Sequence, residues 1–328
     1  MVNLDKKDLR IIYCLCQNSR QSLSSIASLV GLSKNSVKYR VDRLIKNEFM
    51  DNFSPAINTY LFGFNTFDIL IKLNASPNQE KEVINYLSDY PFTTWFASLS
   101  GEWDLILELA AKDSIHLGKM LYEICSKIGD KIVNYDVIIT FDFLKLTPLP
   151  EDFFDPVNLK LKDDPIRTLK PVTLDNIDAN ILSLLCKNCT IPQYEIAKQV
   201  GLSADSVRYR IKNLEKSGVI VKYIPTFFMK NLGYSEYSVI LDLKKPNPDL
   251  LAKLYSYIVQ NKNITYAISD AIKPRISLYV VVKSSSDLDY LLKELRSLFL
   301  DVIRSQKFML VSKHHKFNLF PKGVKNSF

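Results

Sequence analysis

Gly31-Leu-Ser-Lys-Asn-Ser-Val-Lys-Tyr-Arg-Val41 returns later in the chain as Gly201-Leu-Ser-Ala-Asp-Ser-Val-Arg-Tyr-Arg-Ile211. A serine soon after a glycine, followed by Val37, Val41, Leu44 and Ile45 at i, i+4, i+7 and i+8, predicts a capped helix with one apolar stripe. The opposite side carries Asn35, Tyr39, Arg43 and Lys46, flanked by Lys34 and Lys38. Such a face suits an anionic partner. Upstream, Leu4, Asp8, Ile11, Ile12 and Leu15 predict one amphipathic helix, and Leu23, Ile26, Leu29 and Val30 a short second one ended by Gly31. Helix, tight glycine turn and capped helix is the order of a helix-turn-helix, whose second helix enters a DNA major groove.

The repetition extends well beyond this stretch. Leu4-Asp5 matches Leu174-Asp175, Asp8 matches Asp178, Ile26-Ala27 matches Ile196-Ala197, Tyr39-Arg40 matches Tyr209-Arg210, and Leu44 matches Leu214, all at one offset. Core packing would not require Tyr39 and Tyr209, which lie on the solvent side by the helical period. Phe49–Phe53 and Gly218–Tyr223 read as the short strands of a wing. Glu48 stands where the second copy has Gly218, so the freedom of glycine at positive φ is lost there and the two wings are expected to differ in angle.

The string Leu-Asp-x-x-Asp, then Ile-Ala-x-x-Val-Gly-Leu-Ser-x-x-Ser-Val-x-Tyr-Arg-Val/Ile-x-x-Leu, with Gly-Val-Ile in the second copy, resembles the winged helix-turn-helix of the Lrp/AsnC transcription regulators. The resemblance continues downstream. Residues 66–73 alternate as a strand, 78–90 read as a helix, 95–99 and 104–110 as strands, 115–128 as a helix and 133–146 as a strand. This βαββαβ order is that of a ferredoxin-like unit, and it is similar to the family's effector-binding domain. The second copy repeats it with strands at 238–243, 264–269, 276–283 and 308–319 and helices at 249–260 and 286–299.

The expected fold class is therefore α+β, with two winged helix-turn-helix domains alternating with two ferredoxin-like βαββαβ effector domains. The expected boundaries are 1–58 and 59–147 for the first copy, 148–172 for a connector, 173–228 and 229–321 for the second copy, and 322–328 for a tail. Pro148, Pro150, Pro156, Pro165 and Pro171 mark the connector, since proline at that density opposes both helix and sheet.

Charge is distributed to match. Residues 1–58 carry 9 Lys and Arg against 5 Asp and Glu, and residues 173–228 carry 7 against 5, as phosphate-facing units would. Residues 59–147 are acidic (7 against 12) and residues 229–328 basic (16 against 8), so the two effector domains can attract each other. The five cysteines are an odd number in largely apolar pattern, which opposes a disulfide framework, and Cys186-Lys-Asn-Cys189 lacks a second pair or histidines for a metal site. No long uncharged apolar run occurs, and Asp5 and Asp8 interrupt the start, so no membrane partner and a cytoplasmic location are expected.

The resemblance implies which residues meet double-stranded DNA. In the first copy these are Ser33, Lys34, Asn35, Ser36, Lys38, Tyr39, Arg40 and Arg43, with Lys34, Lys38 and Arg40 toward phosphate and Asn35, Tyr39 and Arg43 toward bases. In the second they are Ser203, Asp205, Ser206, Arg208, Tyr209, Arg210, Lys212 and Asn213, with Arg208 and Arg210 toward phosphate. Asp205 in place of Asn35 repels phosphate yet can accept from cytosine N4, so the operator is expected to be an imperfect palindrome. Family analogy also implies an amino acid or similar small metabolite as effector, with no other cofactor. Its expected site is Ser98, Leu99, Ser100, Gly101, Glu102, Trp103 and Asp104, which resembles the family's Gly-x-aromatic-Asp turn. Asp270-Ala-Ile-Lys-Pro-Arg275 replaces that turn in the second copy, leaving at most one such site.

The effector domains of the family pair through their sheets, so one chain with two copies implies an internal pseudo-dimer, open to further oligomerisation. The competing reading is an enzyme on the same architecture, similar to the siroheme decarboxylases, which rely on histidine and arginine near the tetrapyrrole. Only His116, His314 and His315 are present, away from the signature turn, and no nucleophile–base pair or phosphate loop appears. A regulator that is not an enzyme is the expectation.

Overall fold

The computed structural model describes residues 4–161, 170–244 and 247–328. The first copy runs α1 (Lys6–Gln17), α2 (Leu23–Val30), α3 (Lys34–Lys46), β1 (Met50–Ile57), β2 (Asn65–Leu73), α4 (Pro77–Asp89), β3 (Thr93–Ser100), β4 (Leu105–Ala111), α5 (Ser114–Ile128) and β5 (Ile132–Leu146). The second repeats it as α6 (Asn176–Lys187), α7 (Gln193–Val200), α8 (Ala204–Lys216), β6 (Ile220–Phe227), β7 (Ser235–Leu243), α9 (Pro248–Gln260), β8 (Ile264–Asp270), β9 (Arg275–Val282), α10 (Ser285–Leu298) and β10 (Ile303–Phe317), closing with the short α11 (Lys322–Lys325).

Local chemistry sets the ends at the glycine turn alike in both copies. Ser33 Oγ accepts from Ser36 N and Ser203 Oγ from Ser206 N, each at 3.1 Å. Gly31 and Gly201 end α2 and α7 in the left-handed region, at φ 67° and 70°. Val37, Val41 and Leu44, like Val207, Ile211 and Leu214, are buried, so the apolar stripe faces a core as its period predicts.

The strands expected as wings are arranged differently. β1 and β6 pair with each other, antiparallel, with Ser54 opposite Ile224, and form one ribbon shared by the two copies. Among the described residues neither helix-turn-helix keeps a hairpin wing of its own. The reason is burial: Phe53, Ile57, Tyr223 and Phe227 join a single apolar core with both three-helix units. Matching backbone bonds fasten it, Ser19 N to Tyr223 O at 3.0 Å and Cys189 N to Phe53 O at 2.8 Å. Glu48 adopts φ 53° and Gly218 φ 77°, so the expected difference in backbone path at this turn is absent. Glu48 bears instead the strain of a non-glycine residue in the left-handed region, about 1–2 kcal/mol.

The two effector units close into one eight-stranded barrel, in the order β10-β3-β4-β2-β5-β8-β9-β7. Two seams join the copies: β3 with β10, where Leu99 faces Val311, and β5 with β8, where Thr140 faces Asp270. Alternate strand residues face outward to α4 and α5 (Phe67, Ile69, Ile71, Phe96, Leu107) or to α9 and α10 (Val239, Leu241, Ile276, Leu278). The others face inward as an apolar layer that includes Leu70, Ala97, Ile106, Ile138, Ile240, Ile268 and Met309.

Neither the connector nor the tail is unstructured throughout. Glu151–Val157 forms a 3-10 turn despite Pro156, because Phe153 and Phe154 are buried, Phe154 edge-on to Tyr13 at 5.6 Å. Pro165, with the rest of residues 162–169, lies outside the described residues. In the tail, Val324 is buried and Phe328 packs against Phe62 at 5.8 Å and stacks on Phe320.

Candidate nucleic-acid interface

α3 and α8 each present a polar face outward. Tyr39 and Tyr209 are equally exposed, at 68%. Lys34, Asn35 and Lys38 on α3, and Asp205, Arg208, Lys212 and Asn213 on α8, are exposed beside them. The four serines are engaged in their caps, Ser33 with Ser36 and Ser203 with Ser206, each pair of hydroxyls 2.8 Å apart. Lys38 pairs with Asp42 one turn on, at 3.0 Å and in solvent, an exposed contact that phosphate can displace.

Three of the arginines expected at DNA are occupied elsewhere. Arg40 bonds Asp5 at 2.7 Å and Asp8 at 2.8 Å, and Arg43 bonds Asp8 at 2.6 Å, so both tie α3 to the start of α1. Arg210 bonds Asp175 and Asp178 in the same way, each at 2.8 Å. The cause is burial of Asp8, which is fully enclosed and must be compensated by cations. The sequence held the signal: Asp5, Asp8 and Arg40 recur together at the same offset as Asp175, Asp178 and Arg210. Arg208 is also held, by Asp205 at 3.1 Å and by Gln193 at 3.1 Å. The outward set thus reduces to Lys34, Asn35, Lys38 and Tyr39 in one copy and to Asp205, Arg208, Tyr209, Lys212 and Asn213 in the other.

The expected effector turn sits on the β3/β10 seam. Gly101, at φ 151°, lies against β10, where an added Cβ would meet Met309 Cγ at 3.0 Å and Phe308 O at 3.3 Å. Glu102 pairs with Lys307 of the second copy at 2.9 Å. Asp104 accepts from Leu73 N at 2.8 Å and Lys72 Nζ at 3.0 Å, and Ser98 Oγ meets His315 Nε2 at 2.7 Å. Leu99 is buried and Ser100 exposed. Trp103, expected in the effector site, is buried in the inner apolar layer instead. The corresponding turn in the second copy also crosses to the other domain: Arg275 bonds Asp136, Asp270 and Val137 O, while Lys273 reaches Asp136 at 2.7 Å. Burial alone would raise Asp136, but the hydrogen bonds from Arg275 and Lys273 hold its carboxyl below the usual range. The opposite charges of the two effector domains are thus spent at their seams.

Inside the barrel lies a polar group that motif reading passed over. Asp68 and Glu108 are directly opposite each other on β2 and β4. Burial raises both carboxyls, that of Asp68 further through the neighbouring Glu108, while the Thr94 hydroxyl donates to Glu108 and opposes the rise there. Nearby, Trp95 Nε1 donates to His314 Nδ1 at 3.1 Å, and His314 Nε2 meets Glu236 at 3.0 Å. The available signal was two acids at inward positions of otherwise apolar strands. Burial also raises the Cys186 and Cys189 thiols, the latter to about 12, so this pair consists of inert free thiols.

Two repeated helix-turn-helix units carried on one barrel shared by both copies are the layout of a duplicated helix-turn-helix protein. The pattern of the AsnC-type helix-turn-helix domain matches residues 4–45, and that of winged helix-turn-helix DNA-binding matches residues 174–221. The HTH-type transcriptional regulator Ptr1 of Methanocaldococcus jannaschii is 32% identical over 120 residues, which are 37% of this chain and 80% of that protein. An uncharacterized HTH-type transcriptional regulator of Pyrococcus abyssi is 30% identical over 145 residues, 44% of this chain and 94% of that protein. The chain belongs to the Lrp/AsnC family of transcription regulators, with about one relative's length in less than half of it. Over nearly its whole length it shares its fold with the siroheme decarboxylase NirDL, at a TM-score of 0.66 and 12% identity, covering 98% of this chain and 97% of that one.

Proposed function

We propose that this chain is a sequence-specific transcription regulator that binds double-stranded DNA as an internal pseudo-dimer, with α3 and α8 as two non-equivalent readers. The observation that carries the reading is the pair of outward tyrosine-bearing helix faces, repeated in both copies and held on one frame by the β1/β6 ribbon. Lys34 and Lys38 supply phosphate contacts in the first copy, and Tyr39 and Asn35 face bases. Asp205 makes the second reader less cationic. Electrophoretic shift of genomic fragments at low salt tests it: a shift that weakens as salt rises supports the reading, and Lys34→Ala should lower the salt slope by about 1. Absence of any shift rejects it. Control by an amino acid at the Ser98–Asp104 turn is part of the proposal. A ligand there competes with Lys307 for Glu102, so Lys307→Ala should tighten its binding.

A second reading has one observation in its favour. The whole-chain likeness to a siroheme decarboxylase coincides with an exposed histidine, His314, held between Trp95 and Glu236. If the indole N–H donates to Nδ1, the proton of the neutral ring sits on Nε2, toward Glu236. Incubation with siroheme under reducing conditions, followed by mass spectrometry of the tetrapyrrole, decides it: loss of carbon dioxide supports an enzyme, and an unchanged tetrapyrrole rejects it.

A further inference from the structure

The two helix-turn-helix units differ at one buried place. In the first, Asp8 receives two guanidinium groups, Arg40 on Oδ1 and Arg43 on Oδ2. At the constant offset, Arg40 becomes Arg210 but Arg43 becomes Asn213. Arg210 still bonds Asp178 Oδ1 at 2.8 Å. Among the described residues, the other oxygen, Oδ2, accepts only the Asp175 N–H, at 3.4 Å against 3.0 Å for the matching bond in the first copy. Side-chain exposure rises from 0% at Asp8 to 17% at Asp178. Beside that oxygen opens a cleft of about 750 Å³, lined by Asp178, Asp205, Tyr209 and Asn213 over an apolar floor that includes Leu174 and Leu202.

We propose that this cleft binds a small molecule bearing a guanidinium group, seated on Asp178 where the first copy has the side chain of Arg43. The first copy is the template: the equivalent carboxylate, Asp8 on α1, accepts a guanidinium N–H at 2.6 Å. A guanidinium is favoured over an ammonium because its planar fork can donate to Asp178 Oδ2 and still turn donors outward, and its weaker hydration suits a half-buried seat. The ring of Tyr209 and the leucine floor cover the stem. The ligand would lie over Asp205, Tyr209 and Asn213, which belong to the outward face of α8. Its binding therefore displaces DNA from the second reader alone, a consequence that rests on the DNA-binding reading, whereas the site itself does not.

The probe is ethylguanidinium chloride, followed by isothermal calorimetry or by NMR of the protein, with ethylammonium chloride at matched ionic strength as the control. The expected result is one saturable equivalent on the native chain, kept in Asn213→Ala, weakened at least tenfold in Asn213→Arg, and doubled in number in Arg43→Asn. Should Arg43→Asn fail to fold, the Asn213 pair decides alone. No saturable binding to the native chain, equal binding in Asn213→Arg, or equal binding of ethylammonium overturns the proposal. In a parallel DNA shift, ethylguanidinium should weaken the native complex and leave that of Asn213→Arg unchanged. Loss of this coupling with the calorimetry intact removes the competition and leaves the site, and no DNA shift by the native chain removes the regulator reading instead.

Discussion

The barrel is closed at two pseudo-equivalent seams, and the two are built from opposite materials. At β3/β10 the turn after β3 approaches by means of Gly101, and its ion pair, Glu102 with Lys307, is about half exposed on both sides. At β5/β8 the equivalent turn carries Arg275, 4% exposed, locked between Asp136 and the fully enclosed Asp270. One seam closes by steric fit and the other by charge. The difference teaches where a fused duplicate is free to diverge: the strands keep their alternation and register, while the turns that meet the other copy have each found a separate solution.

That contrast can be broken directly. Arg275→Ala strands the enclosed Asp270, leaves Asp136 with Lys273 alone, and should destabilise the protein by about 3–5 kcal/mol in urea unfolding, the usual effect of leaving a buried charge unpaired. Asp8→Ala, which strands Arg43 and leaves Arg40 with Asp5 alone, should fall in the same range, and Asp178→Ala should remain at about 1–2 kcal/mol because its side chain is partly solvated and faces one arginine. Equal losses at Asp8 and Asp178 would show that the missing second guanidinium is immaterial. A smaller effect is expected inside the barrel. Asp68 is raised in the folded state, so the folded protein holds its proton after the unfolded chain has released one. Stability therefore falls as pH rises from the ordinary carboxylate range toward the raised value. Asp68→Asn should flatten that slope in thermal melts and raise Tm more at pH 8 than at pH 5. Glu48→Gly should stabilise by about 1 kcal/mol through relief of the left-handed strain. The smallest effect is Lys307→Ala, below about 1 kcal/mol, as for other exposed ion pairs.

Much of this organisation is legible in the chain because the repetition acts as an internal control. The strand and helix positions expected from alternation and period lie within a few residues of those observed, as with Ser114–Ile128 and Pro248–Gln260. Three things escape it for physical reasons. Periodicity assigns a face to Arg40, Arg43 and Arg210 but not a partner, and a long side chain can leave its face to reach a buried carboxylate on another helix. The pairing of β1 with β6 joins residues far apart in sequence, which no local pattern encodes. The motif places Trp103 in a turn without fixing its burial, and it lies in the core because strands of both copies supply an apolar layer around it.

The long crossing at β3/β10 also governs how the chain comes to its native state. Leu99 waits for Val311, and Ala97 for His314, partners more than two hundred residues downstream. Until β10 has been made and has docked, β3 is an open edge strand with unpaired backbone groups, the kind of surface through which nascent chains stick to one another. Synthesis of the second copy is therefore a timed rescue of the first, and a chain that stalls between residues 101 and 303 is expected to aggregate through β3 rather than to persist as a free half.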